Sequence, residues 1–208
     1  MKHRSTYLAT AGVAVLGLMS SLALGAPVAS AASTAKLAPP AVTTAVDFGP
    51  ACSAVPKGGA GSFSGMTKAP VALAASHNPV LSTLVTAVKK AGLVNTLDNA
   101  KGLTVFAPDN AAFAAIPKAK LDAILANKAA LTKLLEYHVV AGRLTPPALL
   151  GVHKTIAGGS VSVSGSGTRF DVNGSSTVVC GNVQTANATV YIVNRVLVPA
   201  QPAVKPGA

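Results

Sequence analysis

Tryptophan is absent from this 208-residue chain, acidic side chains number only 6, and cysteines only 2. Each shortage removes a class of function. Six carboxylates, widely spaced along the sequence, give little material for the paired acids and bases of hydrolytic chemistry. No serine sits in a Gly-x-Ser-x-Gly elbow, and neither His-Glu-x-x-His nor a glycine-rich phosphate loop occurs. Ser33-Thr34-Ala35-Lys36 does fit the Ser-x-x-Lys pattern of penicillin-recognising enzymes. With neither Ser-Asp-Asn nor Lys-Thr-Gly to complete such a site, the match is a chance one. No enzyme activity and no cofactor is expected. A metal site is not expected either, because no Cys or His lies at ligand spacing around either cysteine.

What is present is positive charge, 17 lysines and arginines, scattered singly or in pairs such as Lys89-Lys90, Lys118 with Lys120, and Lys128 with Lys133. An excess of this kind favours anionic partners, from nucleic acid to acidic wall polymers. The absence of tryptophan and of any long basic run leaves few platforms for stacking bases, so nucleic acid is not an expected partner. A solvated basic surface accounts for the scatter.

The amino terminus reads as a processing signal. Lys2, His3 and Arg4 precede an uncharged apolar stretch from Leu8 to about Leu24, and Ala29-Ser30-Ala31 supplies a small-residue cleavage site. Export with cleavage near Ala31 is expected; an uncleaved membrane anchor would use the same stretch near the lower limit of its length. No later segment approaches the ~20 apolar residues of a spanning helix, so the mature chain is not expected to insert in a membrane. Without Lys2 and Arg4 the net charge is still about +9. Cys52 and Cys180 remain, and an even count in an exported chain favours one disulfide, with free thiols as the alternative.

Residues 32–50 are rich in Ala, Thr and Pro and read as a flexible linker; residues 200–208 read as a tail. Between them the spacing predicts helices first. Asn78 caps and Pro79 opens one with Leu81, Leu84, Val85 and Val88 on its apolar face and Gly92 at its end. Leu93, Val94 and Leu97 mark a short segment; Leu121, Ile124 and Leu125, then Leu131, Leu134 and Leu135, mark two further helices. The period then changes. Val161 and Val163 alternate with serines, Phe170 with Val172, and Asn173-Gly174 signals a hairpin before the apolar TVVC and TVYIV runs. Helices early and strands late predict an α+β domain.

Three segments carry more than periodicity: LTVFAPDNAAF at Leu103–Phe113, YHVVAGRLTP at Tyr137–Pro146, and TANATVYIVNRVLVP at Thr185–Pro199. Their order and spacing resemble the fasciclin domain over residues 51–199, most of all its secreted actinobacterial members. The resemblance implies a β-sandwich or wedge flanked by a helical layer, with the first and third segments as central strands. Thr104, Val105, Phe106 and Pro108 would then belong to the core strand and its stop, Asp109 to a cap, and Phe113 to the helix behind it. Val190, Ile192 and Val196 would be core positions, Asn187 a turn or capping residue, and Pro199 the end of the motif. Tyr137 and His138 form the candidate interaction pair, because this region is associated with integrin binding in animal fasciclin-domain adhesion proteins. Burial of His138 is the competing reading, either on a helix continued from Leu131 or in a strand over YHVV. Asn194 departs from the aspartate that commonly precedes the terminal segment. The function implied is a monomeric, exported adhesion module that binds a cell-surface or matrix protein. Anionic glycans or wall polymers are the alternative partner, and a hydrolase or small-ligand protein a third reading that a deep pocket would favour.

Overall fold

Ser62, Asn78, Asp109 and Asn127 each turn a side-chain oxygen onto a backbone N–H at the start of a helical segment, and these four caps punctuate the first half of the domain. The structure, a computed structural model, describes residues 46–199. The leader, most of the expected linker with Ser33 and Lys36, and the tail lie outside the described residues. Seven α-helices are described: α1 (Phe63–Met66), α2 (Val71–Ser76), α3 (Ser82–Ala91), α4 (Val94–Asn99), α5 (Asn110–Ala114), α6 (Lys118–Ala126) and α7 (Lys128–Tyr137). The helix expected from Asn78 begins as a 3-10 turn over Pro79–Leu81 and continues as α3. It buries Leu84, Ala87, Val88 and Ala91 and stops at Gly92, whose φ of +77° only glycine adopts without cost. Helices α1 and α2 have 4 and 6 residues, too short for a periodic pattern to show in their Ala- and Ser-rich sequence.

The strands are β1 (Leu103–Pro108), β2 (Val139–Ala141), β3 (Gly151–Lys154), β4 (Ser160–Ser166), β5 (Arg169–Val172), β6 (Ser176–Gln184) and β7 (Ala188–Val193). They form one sheet in the order β2-β1-β7-β6-β5-β4-β3, in which only β1 and β7 run parallel. Its two edges meet: Val140 bridges Thr155, and the Ile156 N–H donates to the Val139 carbonyl at 2.9 Å. The α+β class is as expected, and the strand layer is a single sheet curled into a near-barrel.

Register puts Val105 beside Val190 and Phe106 beside Tyr191. Both strands are buried along their whole length, so alternate side chains serve two separate cores. Leu103, Val105, Ala107, Ala188, Val190 and Ile192 face the helices, joining Leu84, Val88, Leu131 and Leu135. Phe106, Tyr191 and Val193 face the other way, against Leu149, Val161, Val163, Phe170, Val172 and Leu197. The third motif is strand only over Ala188–Val193, yet the alternation of faces carries on beyond it. Val196 packs half-buried on the helix side with Val190 and Ile192, and Leu197 fills the inner core with Tyr191 and Val193.

Cys52 and Cys180 are joined in a disulfide across 128 positions. Beside it, Phe48 pairs with Gly181 through two backbone hydrogen bonds of 3.2 and 2.7 Å. A Cβ on Gly181 would lie 2.3 Å from the Phe48 ring, so the ring occupies the space that glycine leaves. Phe48, inside the segment read as linker, thus sits on the domain, its ring centroid 5.4 Å from that of Phe170.

Candidate functional site

The three motif segments converge at one end of β1 and β7 and are tied there by side-chain hydrogen bonds. Thr104 donates its hydroxyl to the Gly142 carbonyl at 2.7 Å and accepts from the Leu144 N–H at 2.9 Å, fixing the turn after β2. From that turn Arg143 reaches the β6–β7 connection, donating to the carbonyls of Thr185, Ala186 and Ala188 and to Gln184 Oε1. The guanidinium fork suits such a set of convergent acceptors. Tyr191 completes the tie with a 2.9 Å bond from its hydroxyl to the Leu144 carbonyl. Arg143 was not singled out in the sequence, because its role depends on where three carbonyls of a distant turn point.

Asn187 does on the helix side what Arg143 does here. Its Oδ1 accepts from the Val71 N–H at the start of α2, and its Nδ2 donates to the carbonyls of Leu97, Asp98 and Ala100 at the end of α4. One amide thus caps two helices and anchors them to β7. The pattern Asn187-Ala188-Thr189 is a glycosylation sequon, yet a glycan on Nδ2 would break this set of bonds. Asn173, in a second sequon, Asn173-Gly174-Ser175, is also engaged, through Ser162 and the Tyr137 hydroxyl.

Tyr137 and His138 occupy the junction where α7 ends and β2 begins, between the two alternatives the sequence allowed. Tyr137 is 3% exposed and donates to the Ser160 carbonyl at 2.7 Å. His138 is 2% exposed; its Nδ1 lies 2.8 Å from the Leu134 carbonyl, and its Nε2 accepts from the Leu197 N–H at 2.8 Å. Those partners fix the neutral tautomer with the proton on Nδ1. Burial lowers the pKa of His138 to about 4. The expectation of a surface interaction pair is corrected accordingly: both side chains are spent inside the fold, and neither presents a polar atom to a partner.

Asn194 accepts from the Thr177 N–H at 2.8 Å. An aspartate oxygen would accept the same bond, so this departure from the family pattern keeps the turn and removes a charge. Among the described residues, no three His, Cys, Asp or Glu side chains gather as a metal site, and no helix is long and apolar enough to cross a membrane.

Two features remain that could meet another molecule. The first is the outward face around β3. Leu150, Val152 and Ile156 are 43%, 71% and 49% exposed, and β3 is the last strand in the sheet order. The second is a cavity of about 270 Å³ between the helices and the sheet, walled by Leu84, Val88, Leu97, Val105, Val190 and Ile192 among others.

A family model of the fasciclin domain matches residues 79–199. The immunogenic protein MPB70 of Mycobacterium bovis is 43% identical over 177 residues, covering 81% of this chain and 90% of that protein. The cell surface glycolipoprotein MPB83 of the same species is 41% identical over 173 residues, covering 76% and 78%. Among solved structures, a FAS1 domain pair from the insect cell adhesion molecule fasciclin I superposes with a TM-score of 0.53 at 17% identity. That match covers 64% of this chain and 52% of the other, about half its length.

Proposed function

The chain belongs to the fasciclin-domain family, and from that premise we propose that it is an exported, non-enzymatic binding protein that docks a cell-surface or matrix protein on the outward face of β3. Export follows from the leader, with cleavage near Ala31, and places the domain of residues 51–199 outside the cell. One observation carries the choice of surface: Leu150, Val152 and Ile156 expose large apolar side chains along the edge of an otherwise closed sheet. Such a patch is a liability in a chain with no use for it, because edge strands recruit other chains. A partner could lay an extended segment along β3 and cover the three side chains together. The relatives named as a cell surface glycolipoprotein and an immunogenic protein support an exposed, extracellular role.

Binding to anionic glycans or wall polymers is favoured by a different observation. Only one ion pair, Lys118–Asp122 at 3.0 Å, is found among the described residues, so the basic surface stays largely uncompensated. One experiment separates the two. The mature protein and its Leu150→Lys, Val152→Lys double variant are bound to isolated cell envelope across a salt series. The protein-docking reading expects at least tenfold weaker binding by the variant and little change with salt. Equal binding by both, lost at high salt, would overturn it in favour of the polyanion.

A further inference from the structure

We propose that the cavity between the helical layer and the sheet is a binding site for a neutral, single-chain apolar ligand that carries one acceptor oxygen, such as a medium-chain ketone, alcohol or ester. Protein interiors are close-packed, so a pocket of about 270 Å³ that opens from the surface into the helix-side core is room for an occupant. Its walls are overwhelmingly aliphatic, with side chains from α2, α3, α4, β1 and β7. A cavity of that chemistry gives water too few partners to settle and admits an apolar guest instead. A void of about 150 Å³ with similar walls admits benzene, which scales to a guest of roughly ten to twelve heavy atoms here.

Asn78 supplies the polar requirement. It is 2% exposed and belongs to the wall; its Oδ1 is committed to the Val80 N–H, and its Nδ2 finds no hydrogen-bond partner. A buried donor left without an acceptor is rare and costly. A carbonyl, ester or hydroxyl oxygen on the guest would satisfy it. A carboxylate would lose its hydration in the same place, which is why the ligand is neutral. The wall also reaches the surface, at Leu73 and Ile156, which are 48% and 49% exposed, giving an apolar ligand a way in.

Ile156 belongs both to this wall and to the outward face, but Leu150 and Val152 do not line the cavity, so a test that changes only those two keeps the sites apart. The mature protein is titrated with 1-aminoanthracene, whose fluorescence rises in apolar surroundings, and the dye is then displaced with 2-decanone, decane or decanoate. Saturable one-to-one dye binding is expected, with 2-decanone displacing it at about fivefold lower concentration than decane, as one hydrogen bond would give. Decanoate should be the weakest of the three. Ala75→Phe, which fills part of the wall, should weaken dye and ketone at least tenfold; should it fail to fold, Val85→Phe on α3 serves in its place. The Leu150→Lys, Val152→Lys variant should bind dye and ketone as the parent does. Absence of saturable binding, equal potency of ketone and alkane, or loss of binding in the surface variant but not in the filled one would each overturn the proposal.

Discussion

At the residue scale the clearest consequence concerns His138. Its imidazole accepts from Leu197 through Nε2 and donates to Leu134 through Nδ1, so protonation would turn one acceptor into a donor facing another donor. The folded-state pKa of about 4 lies below the ordinary value of 6.5. The stabilisation is therefore complete above about pH 6.5 and is lost as pH falls through 6.5 toward 4, by about 3 kcal/mol in all. Asp47 works in the opposite sense. Burial raises its carboxyl to about 6, so the contribution it makes at low pH is lost as pH rises from about 4 to about 6. The two slopes oppose each other over nearly the same window, but Asp47 is only half-buried and offsets the His138 slope in part, so the melting temperature of the parent should fall modestly there as pH drops. Asp47→Asn should deepen that decline in melting temperature between pH 6 and 4, and His138→Gln should diminish it; a flat profile in Asp47→Asn would contradict the account. Asn187→Ala removes one acceptor and three donated bonds at once, and should cost about 2–4 kcal/mol in a urea melt.

At the element scale, what holds the amino-terminal arm to β6 is a disulfide plus a two-bond backbone bridge. Closing 128 positions is worth up to about 4–5 kcal/mol through the unfolded chain. The Cys52→Ser, Cys180→Ser variant should therefore melt roughly 8–15 °C lower than the oxidised parent, and reductant should lower the parent alone. Reading elements from sequence succeeded where burial was two-sided or a cap was explicit. LTVFAP and ATVYIV are charge-free runs broken only by one threonine each, and Asn78-Pro79 and Gly92 mark both ends of one helical segment. It failed at β3, whose only aliphatic side chain is Val152 and whose exposed residues leave no alternating pattern.

At the scale of the whole molecule, family and fold class were legible because the three motif segments supply the neighbouring strands β2, β1 and β7 and the side-chain ties between them. What could not be read was their arrangement. The parallel pairing of β1 with β7, the meeting of β2 with the end of β3, and the carbonyls gathered around Arg143 arise between segments far apart in sequence. The candidate interaction pair was misjudged for the same reason: a Tyr-His pair at a helix end looks available until Ser160 and Leu197 are seen to use it. The motifs hold the fold, and the faces that remain open, at β3 and at the mouth of the cavity, lie mostly on residues outside them. Retention on isolated cell envelope, measured together with melting temperature, tests that division most directly. Leu150→Lys, Val152→Lys should bind at least tenfold less well at a nearly unchanged melting temperature, whereas Tyr137→Phe, which gives up only a buried hydroxyl, should melt lower and bind as the parent does. Full binding by the surface variant, with binding lost in a folded Tyr137→Phe protein, would contradict the account.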